Sequence, residues 1–193
     1  MKITTLTAYI IVLTIFNLLI WTTPLIYKIT ENKEMYIMFS PFCHQITQRS
    51  LCIYDLGIYD CYPQNIIYSQ LTKEIVVENS LGTGYKLPVC SRDVSFFLSM
   101  LIGGIIIYFY KGDKYNIILP IWVFILFISP LAIDGITQLI GLRQSTNLLR
   151  IITGFMAGII LPFYIIGIIN SKKINENNKK IHVKRKSTKN IKR

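Results

Sequence analysis

Four apolar runs of near-bilayer length, at about residues 8–27, 94–110, 115–133 and 148–169, constrain this chain more than any other feature. About 20 helical residues match the hydrocarbon core of a bilayer. A segment in lipid must also satisfy its own backbone N–H and C=O groups, which selects helix over open strand. The expected fold is all-α and integral to the membrane: a four-transmembrane-helix bundle in residues 1–170, with a short tail at 171–193. A chain of 193 residues has room for one domain, and its 52% hydrophobic content is gathered into the runs rather than spread along one face. Lys2 lends the first run a signal-peptide character. Yet the run is long, and Trp21-Thr-Thr-Pro-Leu-Ile-Tyr27 has no small-x-small cleavage pattern, so it is expected to stay as an anchor.

Charge suggests the orientation. The net charge is +11, but residues 171–193 hold ten Lys/Arg and one Glu, a net +9, which leaves +2 for everything before them. The positive-inside rule puts that tail in the cytoplasm. Four spans then put the N-terminus and the Lys111-Gly-Asp-Lys114 turn inside, and residues 28–93 and the turn near Gly141 outside. The outer segment holds six basic and seven acidic residues, as an exported segment tolerates. The expected location is the cell membrane, multi-pass, with both termini cytoplasmic. The tail reads as a disordered topogenic segment, the alternative being that its basic residues bind anionic membrane lipids as partners. It has neither a folded basic face nor interleaved aromatics, so no nucleic-acid partner is expected.

All four cysteines, Cys43, Cys52, Cys61 and Cys90, fall in the outer segment, where disulfides persist. Cys52 and Cys61 bracket a turn-capable stretch and are expected to form a disulfide staple. Cys43-His44 and Cys90-x-x-Asp93 offer two thiolates, an imidazole and a carboxylate, a donor set suited to zinc or iron. Three readings stay open for this pair of motifs: a Cys43–Cys90 disulfide, a metal site, or a thiolate activated by His44 or Arg92.

A second polar cluster lies at membrane depth, in Asp134-Gly-Ile-Thr-Gln-Leu-Ile-Gly-Leu-Arg-Gln-Ser-Thr-Asn-Leu-Leu-Arg150. Ionisable groups are costly there and mark function or helix pairing. Gly141 is expected to break the helix. Asp134 and Gln138 then share a face of span three, and Arg143, Asn147 and Arg150 share a face of span four, continued by Gly154 and Gly158. Asp134 is expected to pair with Arg150 or Arg143. Arg49 and Arg92 arrive on the same side, so positive charge exceeds negative. Arginine forks match phosphate and carboxylate oxygens, which points to an anion pocket lined by Arg49, Arg92, Gln138, Arg143, Asn147 and Arg150.

Cys43-His44-Gln45 with Arg49-Ser50, Pro88-Val-Cys90-x-Arg92, Asp134-Gly-x-Thr-Gln138 and Arg143-x-Ser145-x-Asn147-x-x-Arg150-x-x-Thr153-Gly154 resemble the motifs of a family of small polytopic membrane proteins. That family is catalogued as a domain of unknown function in archaea and bacteria. The resemblance runs from about Cys43 to Gly158. Many members resemble Pro-Val-Cys-x-Arg-Cys at the second motif, where this chain has Asp93. The connection at 51–85 looks longer than usual, which implies that Cys52 and Cys61 belong to an insertion. The resemblance carries architecture and motifs, not an activity.

Three function classes remain. One is a membrane enzyme acting outside on a lipid-linked anion, with His44 and Asp134 as acid–base groups. Another is a binding protein or small anion carrier using the same pocket, acting as a homo-oligomer. The third is a structural or redox protein whose outer segment is stapled by disulfides.

Overall fold

The computed structural model describes residues 4–41, 43–62, 72–142 and 145–191. It is a four-helix membrane bundle with a small sheet inserted between the first two spans. The elements are α1 (Thr5–Thr30), the short α2 (Glu34–Met38), β1 (Leu51–Tyr54), β2 (Gly57–Asp60), β3 (Val76–Asn79), β4 (Gly82–Lys86), α3 (Ser91–Tyr110), α4 (Ile121–Leu139) and α5 (Asn147–Ile191). Helices α1, α3 and α4, together with Asn147–Lys173 of α5, are long and apolar enough to cross a membrane.

Two boundaries differ from expectation. The third run begins at Tyr115, but helix α4 begins at Ile121, directly after Pro120. Proline has no N–H to give a helix and disfavours helical backbone in the residue before it. The preceding stretch instead lies along α5: Asn170 Nδ2 donates to the Tyr115 carbonyl at 2.7 Å, and Ser171 Oγ to that of Asn116 at 3.1 Å. The shift carries Asp134 well inside the helix. At its end Gly141 takes a φ of 73°, the left-handed conformation expected of a helix-ending glycine, and Leu142 N–H closes onto the Thr137 carbonyl at 3.0 Å. The second difference is the tail. Helix α5 continues to Ile191 where disorder was expected, because no glycine or proline follows Gly167 to stop it.

The bundle is built around α3 and α5. Ser95, Ser99 and Gly103 on α3 meet Gly154, Gly158 and Pro162 on α5, a small-residue seam that brings the two backbones together. Asn17 of α1 ties onto α3 by donating to the Phe97 carbonyl at 3.2 Å. Along α4 the one buried side chain is Asp134, while Trp122, Ile125, Leu126 and Ile133 are exposed, as lipid-facing residues would be.

The inserted sheet has strand order β2-β1-β4-β3, all antiparallel. Cys52 and Cys61 form the expected disulfide, and with Tyr54 and Val77 they make a small buried cluster of their own. The strands are only four or five residues long, too short for their alternation to stand out in the sequence. Closing so short a loop stabilises by about 2.5 kcal/mol in the chain-entropy picture. Replacing both cysteines by alanine is therefore expected to raise amide exchange in β1 and β2 by roughly 10–100-fold and leave α3 and α5 protected. Uniform loss of protection across the bundle would refute this separation.

Candidate functional site

The site lies at the end of the bundle where α1 and α4 finish and α3 and α5 start. Pro88 and the extended Cys90 precede α3, so Cys90 is its N-cap and Asp93 sits in its first turn. Cys90 Sγ donates to Asp93 Oδ2 at 2.9 Å. Opposite lies the Cys43–Gln45 turn. Gln45 has a φ of 55°, and this left-handed backbone aims its N–H at Cys43 Sγ, 3.4 Å away.

Buried groups hold that turn in place. Lys86 is wholly buried, and its Nζ donates to the Gln45 carbonyl at 2.7 Å. Gln45 Nε2 donates to the Tyr36 carbonyl, and Tyr36 Oη donates to the Lys86 carbonyl, closing a ring of three residues. Burial pushes the Lys86 ammonium down to about 8. Neither Lys86 nor Tyr36 belongs to a recognisable site motif in the sequence. Their only signal was proximity in sequence to the two cysteine motifs.

Cys43, Cys90 and Asp93 thus converge: one donor atom from each lies within 4.8 Å of the others. Cys43 and Cys90 are free thiols rather than a disulfide. The Cys90 hydrogen bond favours the Cys43 thiolate and brings its pKa down to about 7, against its burial. The same contact holds the Cys90 proton and raises that thiol, with burial adding to the effect. His44 does not join the three donors. It is exposed and only lines the adjoining cavity, since side chains of consecutive residues diverge.

That cavity, of about 220 Å³, is lined by Cys43, His44, Ile46, Arg49, Cys90, Arg92 and Asp93. Both arginines keep an Nε that is buried without a hydrogen-bond partner. Arg49, Arg92 and the N-terminus of α3 draw an anion toward the cavity, while Asp93 on the same wall and Asp134 behind Arg92 offset part of that charge.

Among the described residues, none from the Asp134–Arg150 cluster lines the cavity. Asp134, 1% exposed, forms an ion pair with Arg92 rather than with the expected Arg150 or Arg143, and accepts from Ser145 Oγ at 3.0 Å. Arg92 reaches it with its long side chain from the first turn of α3, its Nη1 passing 3.9 Å from where a Cβ on Gly135 would stand. Asn147 Oδ1 accepts from Ser91 Oγ and from Arg150 Nη1, both at 3.0 Å, and Asn147 Nδ2 donates to Asp60 Oδ1 at 2.9 Å. The disulfide hairpin is docked onto α5 in this way. Gln138 is half-buried one turn past Asp134. Arg143 lies outside the described residues. Of the six expected anion ligands, Arg49 and Arg92 line the cavity, while Asn147 and Arg150 belong to the buried network. Of the two acid–base candidates, His44 lines the cavity and Asp134 is sealed beneath Arg92.

The family described as "Predicted membrane protein (DUF2085)" matches residues 78–164. "Uncharacterized protein MJ1492" of Methanocaldococcus jannaschii is 36% identical over 135 residues, covering 69% of this chain and 67% of the relative. The chain belongs to this family of membrane proteins. An "Uncharacterized protein" of Methanothermobacter thermautotrophicus is 37% identical over 83 residues, which is 39% of this chain and 67% of the relative. No solved structure matches the chain. The matched region holds the second cysteine motif, the α3–α5 seam and the Asp134–Asn147 network, while Cys43 and Arg49 precede it.

Proposed function

We propose that this membrane protein holds the anionic headgroup of a lipid in the cavity between the Cys43–Arg49 segment and the start of α3, on the extracytoplasmic side. The observation that carries this reading is the pairing of Arg49 and Arg92 in one cavity, each with a buried Nε that lacks a partner. A bound phosphate or carboxylate would answer the charge of the two guanidinium groups, whose forks match such oxygens. The cavity opens at the end of a membrane bundle, where a headgroup resides while its chains lie along exposed helix faces. The basic character of residues 171–193 supports the orientation, with that tail in the cytoplasm. Cleavage of the tail by protease added to intact cells would overturn it.

Native mass spectrometry of the full chain in detergent tests the binding. A short-chain phosphomonoester lipid is expected to bind at least about tenfold more tightly than its phosphocholine counterpart, and Arg49→Lys to remove about that factor. Arg49 is the residue to change, because Arg92 also holds Asp134 and its loss would disturb the bundle. Equal retention of both lipids, or an unaltered preference in both Arg49→Lys and Arg49→Gln, rejects the reading.

A further inference from the structure

We infer that Cys43, Cys90 and Asp93 bind one zinc ion, with the fourth coordination position facing the cavity. This inference does not rest on the anion reading and stands or falls separately.

The donor set comes first. Two thiolates and a carboxylate are ordinary zinc ligands, and three protein ligands with an open position is the arrangement of zinc sites that take a further ligand. The three donor atoms, from segments 47 positions apart at Cys43 and Cys90, already lie within 4.8 Å of one another. Small inward movements bring such atoms to bonding distance, about 2.0–2.3 Å from a central ion.

Charge is the second argument. Three anionic donors cannot share so small a space unaided, and the thiol proton of Cys90 now answers Asp93 at 2.9 Å. A dication displaces the Cys90 proton and any proton on Cys43, both released to solvent, and leaves a net charge of about −1 on the ion and its ligands, beside Arg49 and Arg92 in the same cavity.

The outer contacts are the third. The Gln45 N–H pointing at Cys43 Sγ stabilises a thiolate, and the buried Lys86–Gln45–Tyr36 ring holds the strained turn that aims it. A disulfide between Cys43 and Cys90 would use neither Asp93 nor that N–H. Asp93 completes the donor set, because a carboxylate oxygen also binds zinc.

Metal analysis of the full chain, purified in detergent without chelator, reads the result. About one zinc per chain is expected, falling below about a tenth in Cys43→Ser and in Cys90→Ser. Asp93→Cys guards against variants that fail to fold, since it preserves three donors. It is expected to keep zinc and, after exchange for Co²⁺, to raise the thiolate-to-cobalt charge-transfer absorption by about half, from two thiolates to three. Wild-type protein that takes up no zinc on incubation with Zn²⁺ overturns the site, whether mass spectrometry finds a Cys43–Cys90 disulfide or free thiols. So does zinc retained in the double Cys43→Ser, Cys90→Ser variant, or a cobalt spectrum unmoved by Asp93→Cys. Iron held in place of zinc overturns the assignment of the ion. Lipid preference without zinc would leave the anion reading intact, and zinc without lipid preference would leave this one.

Discussion

Asp134→Ala is expected to cost about 3–5 kcal/mol and to remove most of the folded protein from the membrane fraction. Asp134 is the one buried side chain of α4, and its carboxylate holds Arg92, whose side chain is 22% exposed. Alanine leaves a largely buried guanidinium without its carboxylate partner, and the loss of a partner costs far more than the pair itself stabilises. Ser145 also loses its acceptor, which loosens the approach to α5. Paired removal separates the two costs. Arg92→Met together with Asp134→Leu fills similar volume and leaves neither charge behind, so it is expected to recover most of the loss. Thermal unfolding in detergent and the yield of monodisperse protein measure both variants. An Asp134→Ala protein as stable as the parent would mean that water or lipid already solvates Arg92.

Gly158→Val is the other large effect. A Cβ at Gly158 meets Ser99 Oγ and the Phe96 carbonyl, and one at Gly154 meets Ser95 Oγ and the Arg92 carbonyl. Carbonyls of α3 cannot rotate aside as a side-chain tip does, so the helices must separate. Overpacking of this kind costs about 1–3 kcal/mol and sometimes more. The effect should reach the site as well, because Gly154 lies directly under Arg92 and separation pulls that residue from Asp134. Gly135→Ala is the control. Its new Cβ has Arg92 Nη1 as nearest neighbour at 3.9 Å, an ordinary contact, and alanine favours helix by about 0.5–1 kcal/mol. A Gly158→Val protein whose Tm matches that of Gly135→Ala would show that the seam is not a close contact in the membrane.

The two predictions concern one piece of architecture. The seam sets where α3 begins relative to α4 and α5, and the beginning of α3 carries Cys90, Arg92 and Asp93. Cavity, donor cluster and ion pair therefore depend on a helix contact made by residues with almost no side chain.

The chain by itself determined whatever depends on composition over a long window. Four spans follow from the cost of unsatisfied backbone in lipid, and apolar runs of that length leave few alternatives. Gly141 marked the end of α4, Gly154 and Gly158 marked a close helix contact, and Cys52 with Cys61 marked the staple, because each signal is local. Partner choice is not local, and only the tertiary structure decided it. Asp134 has arginines available on more than one segment, and its pairing with Arg92 depends on how far α3 slides along α5. Cys43 and Cys90 had three chemistries open to them. The turn at Gln45, held by a buried lysine far along the chain, sets the Cys43 thiol beside Cys90 and Asp93. Residue spacing cannot encode that choice, because it is made by side chains that meet only once the sheet and the bundle are in place.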